Sequence, residues 1–335
     1  MPGKSDVYLL CAANSAYAMP LAVMLTSVVA NLRSGRPLHI HLLVTEFDSD
    51  LKEKVERSVM RNVRPGGTVT FTWHIFDADR FASYFHKAEV RHLSADSYSR
   101  MVCDEYLPAD CGKVVYLDCD LVVCRDISDL SDALNEDKVL GAISNIWIPY
   151  VSTMWNGRPV VFNYAELGIP PQSRYFQCGV LVLNMPLWRA RGVPAKLLDY
   201  LSLHHTEVIF HDQGVFNAVL HDQWQRLDQR WNQVATVLYP KLWKAPAYTR
   251  AEWKRAFADP YVVHFDGPNK PWKPDFTAPR GSFFFKYLDK TEFAGTVSPP
   301  WAVRLEQVIG FRTFYHISRA RNFAIKIARR LFRRG

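Results

Sequence analysis

Apolar and polar positions alternate along this chain with two different periods. VYLLCAA (7–13) is a continuous apolar run of the length expected for a strand buried on both faces. Pro20 suits the first turn of a helix that continues to about Leu32. LHIHLLV (38–44) predicts a second strand, and DSDLKEKVERSVMRN (48–62) a charged helix capped by Asp48 or Ser49. Pro65, Gly66 and Gly67 turn the chain into TVTFTWHIF (68–76), apolar at every second position. A helix is expected over about Ser94–Leu107, then one strand over KVVYLDCDLVV (113–123) and two more at VLGAIS (139–144) and FQCGVLVLN (176–184). Strands spaced by helices predict an α/β fold, with a mostly parallel twisted sheet covered on both faces. Periodicity fails over 149–175, where Pro159, Gly168, Pro170 and Pro171 mark a long loop. A loop of this length in a compact body is usually functional, as a lid or a ligand contact. Prolines recur at 268–279 and at 299–300, the latter reading as the joint between the body and a tail.

Charge separates that tail from the body. Residues 1–310 hold 33 basic and 33 acidic side chains, whereas 311–335 hold eight basic and none acidic. At about 100° per residue, Phe314, Ile317, Ala320, Ala324, Ile327, Ala328, Leu331 and Phe332 fall on one side of a tail helix. Arg312, Arg319, Lys326, Arg329, Arg330 and Arg333 fall on the other, with Arg321 and Phe323 as exceptions. Such a basic amphipathic helix is expected to lie on an anionic membrane surface. A helix packed on the body and a nucleic-acid arm are the competing readings. The neutral body and the lack of interleaved aromatic and basic residues argue against nucleic acid as a partner.

The chain has 335 residues, 48% hydrophobic and 22% charged, which excludes a disordered or low-complexity protein. The apolar stretch Ala18–Ala30 is too short to span a bilayer. Lys4, the VYLLCAA run and SAYA imitate a signal peptide, but Asp6 interrupts the pattern and cleavage would remove the first core strand. The expectation is an uncleaved, cytoplasmic protein. Cysteines at 11, 103, 111, 119, 124 and 178 form no C-x-x-C pattern and read as structural thiols in a reducing compartment.

The chemistry is concentrated in two strings. Asp118 and Asp120 close an apolar strand, and positions two apart in an extended chain share a side. Two carboxylates at a sheet edge can share one divalent cation, or divide nucleophile and acid roles; an acidic strand end capping a neighbouring loop is the bland reading. D-C-D-L-V also fits the motif of haloacid-dehalogenase-like phosphatases. Those enzymes usually carry it on the first strand with a later acidic pair, and neither condition holds here. In nucleotide-sugar transferases a D-x-D holds a metal on the donor diphosphate, and VVHFDGPNKPW (262–272) supplies the further pieces. His264 can complete a metal's ligand set, Gly267 lets backbone approach a phosphate, and Lys270 can neutralise a leaving charge. A core histidine is the alternative for His264.

With CAANSAY (11–17), RHLSADSYSR (91–100), VVYLDCDLVV, FHDQGVFNAVL (210–220) and HFDGPNKPW, the chain resembles glycosyltransferase family 8 from Val7 to about Lys286. Within it the likeness is to bacterial lipo-oligosaccharide α-1,4-galactosyltransferases. The resemblance implies a GT-A fold, Rossmann-like, with a catalytic domain over 1–290, a linker over 291–310 and a membrane-associating tail over 311–335. It implies Ala12, Ala13, Asn14 and Tyr17 around the uridine of a UDP-sugar, and Arg100, Asp118, Cys119, Asn145, Gln177, Gly267 and Lys270 as further donor contacts. Asp118, Asp120 and His264 become ligands of Mn2+, with Mg2+ as the alternative. Asp212 and Gln213 become the residues beside the anomeric carbon. Four residues depart from the family's pattern: Asn14 and Ala16 in the uridine loop, Gln177 where Asn is usual, and Asn145 where Asp is usual. The last two concern the sugar, so the donor stays open between UDP-galactose and UDP-glucose.

The implied reaction is a retaining hexosyl transfer that makes an α-linkage. Gln213 is uncharged, which favours attack on the same face as the departing phosphate, with Asp212 as the alternative nucleophile. A cytoplasmic catalyst with a basic tail suggests a lipid-linked glycan acceptor such as a lipopolysaccharide or lipo-oligosaccharide core. The expected location is peripheral, on the inner face of the cytoplasmic membrane. A phosphatase and a non-catalytic sugar-nucleotide-binding protein are the competing functions.

Overall fold

A computed structural model describes residues 6–84, 95–234 and 247–332, with the side chains of 82–84, 95–97 and 322–332 left aside. The N-terminal half follows the apolar runs closely. Strands β1 (Val7–Ala13), β2 (Leu38–Val44) and β3 (Val69–Ile75) pair in parallel, separated by helices α1 (Ala18–Asn31) and α2 (Ser49–Met60). The Asp48 side chain caps α2 by accepting from the Asp50 N–H. Helix α1 is buried on nearly every side between the sheet and α2, which explains its continuous apolar sequence.

Next come β4 (Lys113–Leu117), β5 (Leu121–Val123), α3 (Ile127–Asp132) and β6 (Leu140–Ser144). A small hairpin of β7 (Met154–Trp155) and β8 (Arg158–Pro159) turns through Asn156 and Gly157, both at positive φ, as a two-residue turn with right-handed strand twist demands. Strand β9 (Phe176–Asn184), helices α4 (Met185–Ala190), α5 (Val193–His204) and α6 (His211–Val219), and strands β10 (Trp224–Arg226) and β11 (Gln233–Val234) follow. After them come α7 (Arg250–Ala258), β12 (Val262–His264), α8 (Gly281–Leu288), α9 (Trp301–Ile309) and α10 (Phe311–Phe332).

The main sheet has seven strands in the order β10-β6-β9-β4-β1-β2-β3, and only β9 runs against its neighbours. One apolar layer, built from α1, α2 and α8, covers one face; a second, with Tyr98, Met101, Trp188, Leu197 and Phe216, covers the other. The expected mostly parallel sheet with helices on both faces is present.

Three expectations need correction. The single strand expected over 113–123 is two strands in two sheets: β4 lies in the main sheet, and β5 pairs with β12 in a small sheet ordered β11-β12-β5. The break falls at Asp118–Asp120, because carboxylates cannot continue a ladder sandwiched between apolar layers without a large desolvation cost. The helix expected over 94–107 is a 3-10 stretch, Ala95–Glu105, kinked at Val102; Arg91–Ser94 lie outside the described residues. Within 291–310, expected as a linker, α9 docks on the body with Ala302 and Val303 fully buried.

Loop 149–175 is tied down by Val151, Val160, Val161 and Ile169 in the core. Among the described residues all six cysteines are free thiols, and no helix is long and apolar enough to cross a membrane.

Candidate active site

The strand break turns the D-x-D carboxylates toward the second sheet. β12 runs antiparallel to β5, with His264 opposite Leu121, so the imidazole arrives beside both aspartates. His264 Nε2 lies 3.1 Å from Asp120 Oδ1 and 3.9 Å from Asp118 Oδ2. One ligand atom from each of the three residues falls within 4.8 Å of the others. Two carboxylates and an imidazole form a donor set suited to a divalent ion of borderline hardness such as Mn2+. On its far side, His264 Nδ1 lies 2.9 Å from Asn232 Oδ1, an acceptor only. That contact assigns the proton to Nδ1 and leaves Nε2 as the lone-pair atom toward the carboxylates. Asn232 is fixed in turn by donating Nδ2 to Gln177 Oε1, which also accepts the Gly179 N–H at 2.7 Å.

Gly179 is where these groups pass the main sheet. A Cβ there would lie 2.5 Å from both Asp118 Oδ2 and His264 Cε1, so no larger residue fits without moving the cluster.

Cations border the carboxylates. Lys270 Nζ donates to Asp120 Oδ2 and, at 2.9 Å, to the Phe265 carbonyl. Burial alone would raise the Asp120 pKa, but His264 and Lys270 beside it hold the group well below the usual carboxylate range. The same contact acts on the imidazole: burial works to lower the His264 pKa, and the charge of Asp120 overcomes it.

Arg100, from the 3-10 stretch, reaches the other side. It donates to the Cys178 carbonyl at 2.6 Å, stacks over the Tyr116 ring at 4.3 Å, and lies 3.4 Å from Asp118 Oδ1. Its Nε also lies 3.1 Å from Asp212 Oδ2, an oxygen that takes no aligned hydrogen bond, so this contact is charge attraction at an indirect angle. Burial raises the Asp212 pKa by more than Arg100 lowers it. Asp212 and Gln213 lie in the first turn of α6, whose N-cap Phe210 (φ 64°) and first residue His211 (φ 50°) are both left-handed. Two consecutive non-glycine residues in that region store strain at the edge of the site. Gln213 Oε1 accepts the Cys178 N–H at 3.2 Å.

The other expected residues gather around this cluster. Ala12 and Ala13 end β1, and the Ala12 carbonyl accepts Cys119 Sγ–H at 3.1 Å, which ties that loop to the D-x-D turn. Asn14 caps the following 3-10 turn, and Tyr17 meets Trp272 edge-on beside Lys270. Gly267 sits exposed at φ 72° between His264 and Lys270. Asn145 spends Oδ1 on the N–H groups of Trp147 and Ile148, which leaves its Nδ2 for a ligand in the cleft it lines with Gln177 and Asp266.

Sequence reading missed three participants. Asp266 is two positions beyond His264, the spacing that had drawn notice to Asp118 and Asp120. Tyr116, in the same apolar run, donates its hydroxyl to Asp118 Oδ1 at 3.1 Å. Asn232 lies in a four-residue 3-10 turn, where no periodicity marks it.

A Rossmann-like sheet with an acidic turn at its edge, facing a histidine and a lysine from a second small sheet, is the architecture of a GT-A glycosyltransferase. The model of the family described as "Glycosyl transferase family 8" matches residues 8–275, and the chain belongs to that family. Among solved structures, it is similar to the galactosyltransferase LgtC in complex with donor and acceptor sugar analogs. The TM-score is 0.68 at 24% identity, over 90% of this chain and 100% of that one. General stress protein A of Bacillus subtilis (strain 168) is 23% identical over 88% of this chain and 96% of its own. Lipopolysaccharide 1,3-galactosyltransferase of Salmonella typhimurium (strain LT2) is 24% identical over 75% of this chain and 68% of its own.

Proposed function

We propose that this glycosyltransferase moves a hexose from UDP-galactose or UDP-glucose onto a glycan hydroxyl, with retention and an α-linkage. The observation that carries the reading is the convergence of Asp118, Asp120 and His264 beside Lys270 and Arg100. A divalent ion held by those three side chains, Mn2+ or Mg2+, supplies Lewis-acid charge to the donor diphosphate. Lys270 and Arg100 add fixed positive charge where the leaving group becomes more negative. The β1 loop, Ala12 to Tyr17, covers the nucleoside, and Cys119 and Gly267 approach the nucleotide.

Gln177 and Asn145 offer amide groups to the sugar hydroxyls. Gln213 presents an uncharged amide near the anomeric carbon, while Asp212 is buried and faces Arg100. The uncharged Gln213 amide beside the anomeric carbon favours same-face substitution, with Asp212 as the alternative nucleophile.

The relatives and the tail support a lipid-linked glycan, such as a lipopolysaccharide core, as the acceptor. One relative is named for lipopolysaccharide, and the basic segment 311–335 would hold the enzyme on the anionic inner face of the cytoplasmic membrane, where lipid-linked cores are built. The match to family 8 leaves the phosphatase reading unsupported.

A panel of UDP-sugars incubated with Mn2+ and no acceptor tests the donor assignment. Slow release of UDP from UDP-galactose or UDP-glucose, abolished by a chelator, is expected. Release from neither sugar, or release indifferent to the chelator, overturns it.

A further inference from the structure

The tail does not begin its contact with the body where its charge begins. α9 buries Ala302, Val303 and Glu306 and turns its other side outward, with Trp301 50% and Val308 83% exposed. Leu305, half-buried between them, completes an i, i+4, i+7 row on that outward side. Gly310 (φ 78°) then reverses the chain, and the Arg321 guanidinium lies 5.8 Å over the Trp301 ring. Residues 301 and 321 meet only if α10 folds back along α9, so the two helices form a hairpin. Ile317 is half exposed on α10, and Arg304, Arg312, Arg319 and Arg321 are exposed on the same two helices.

The hairpin is fixed to the catalytic body by buried hydrogen bonds and aromatic packing. Glu306 accepts the Arg280 N–H at 2.7 Å and the Ser282 hydroxyl. Arg280 donates to the Phe257 carbonyl and stacks over the Phe311 ring at 4.1 Å, while the Phe257 ring packs on Tyr315 at 4.7 Å. Phe257 belongs to α7, which leads directly into β12 and His264.

We propose that the outward side of the α9–α10 hairpin is a bilayer-facing surface. Trp301 and Val308 insert between lipids, and the arginines meet anionic headgroups. The proposal rests on the membrane reading above and adds a rigid docking face that starts ten residues before the basic tail. Charge complementarity selects the occupant: eight basic and no acidic side chains over 311–335 match an anionic leaflet, and an exposed tryptophan beside arginine suits the boundary between headgroup and acyl chain. Because Glu306 and Arg280 lock the hairpin, the cleft is held at a set height above the membrane instead of swinging on a tether.

Flotation of the full chain with vesicles of phosphatidylcholine, with and without phosphatidylglycerol, tests this. Deleting 311–335 would strip the buried Phe314 and Tyr315 from the body, so the tail is tested by deleting 322–335. The full chain should float only with phosphatidylglycerol. Trp301→Ala/Val308→Ser should weaken flotation about tenfold, with UDP-sugar hydrolysis in solution unchanged. If the double variant floats like the parent while the 322–335 deletion does not, the basic tail is a simple tether. The proposed face is then overturned and the membrane reading stands. If the full chain does not float at all, both fall. A parent dimer that becomes monomeric in the double variant would make the face a self-association surface and overturn the proposal.

Discussion

Asp120 and Glu306 are both largely buried carboxylates hydrogen-bonded to the protein, yet their surroundings differ in one respect. Around Glu306 every neighbour belongs to the protein: Arg280 and Ser282 donate to it, and aromatic rings close over Arg280. Around Asp120 the carboxylates outnumber what the protein needs, since Asp118, Asp212 and Asp266 lie near the same His264, Lys270 and Arg100. The Asp118 side chain remains 27% exposed, whereas Glu306 is only 2% exposed. A buried carboxylate whose hydrogen bonds all end on the protein holds two elements together. Buried charge with surplus acid at an open edge is arranged for something still to arrive.

The sharpest way to break this contrast is to remove one partner from each place. Asp120→Asn should lower turnover by about 10³-fold, roughly 4 kcal/mol of barrier on the scale of lost charge stabilisers, measured per folded molecule. Glu306→Ala should act on stability instead: it leaves the buried Arg280 N–H and the Ser282 hydroxyl without their acceptor, costing about 3 kcal/mol while activity per folded molecule holds. Steady-state rates and urea unfolding on both variants settle it. An active Asp120→Asn enzyme, or a Glu306→Ala enzyme as stable as its parent, would erase the distinction.

A smaller effect separates two glycines in the main sheet. At Gly179 the added methyl meets Asp118 and His264; at Gly141 it meets Leu227 Cδ1 at 2.9 Å, the mobile end of an apolar side chain. Gly179→Ala should cut turnover by about 10–100-fold, the equivalent of the roughly 1–3 kcal/mol that overpacking costs. Gly141→Ala should lower stability modestly and leave the rate alone. Equal rates in the two variants would mean that the cluster tolerates displacement and that Gly179 does not guard its geometry.

These residues also show what could be read without the structure. D-C-D and H-F-D-G-P-N-K were legible because each chemical group sits in a contiguous string beside an apolar strand. Most strand limits were legible because an apolar run ends where burial ends. The split of 113–123 was not, since Leu121–Val123 are as apolar as Lys113–Leu117 is on average, and a pattern does not say which sheet a strand joins. Asn232 was invisible because its role depends on meeting His264, 32 positions away. α9 was hidden behind Pro299 and Pro300, which read as a joint, and nothing in the sequence links its Glu306 to Arg280, 26 positions away.

The last comparison is between two buried histidines pushed in opposite directions. At His264 burial opposes protonation, but the adjacent Asp120 charge wins and the pKa rises. At His41 no acid faces the ring. Its Nδ1 lies 3.0 Å from His74 Nε2, the two rings stack at 5.3 Å, and burial together with His74 and His39 lowers the pKa from 6.5 to about 4. The sign follows from where the proton goes. Above about pH 6.5 His41 is neutral in both folded and unfolded chains, and its contribution to stability is complete. Between about 6.5 and 4 the unfolded chain takes up the proton first, so stability falls as pH falls, and the slope ends below the folded value. Allowing for solvent screening near the partly exposed His74, the loss should be about 1 kcal/mol. His41→Asn keeps an acceptor facing His74 but cannot titrate, so urea midpoints at pH 7 and pH 5 should differ less in the variant than in the parent. If both proteins lose the same stability on acidification, the proton is being taken up elsewhere. The stacked pair on β2 and β3 would then be a packing feature with no part in the pH dependence, unlike the imidazole in the cleft, whose pKa the Asp120 charge raises.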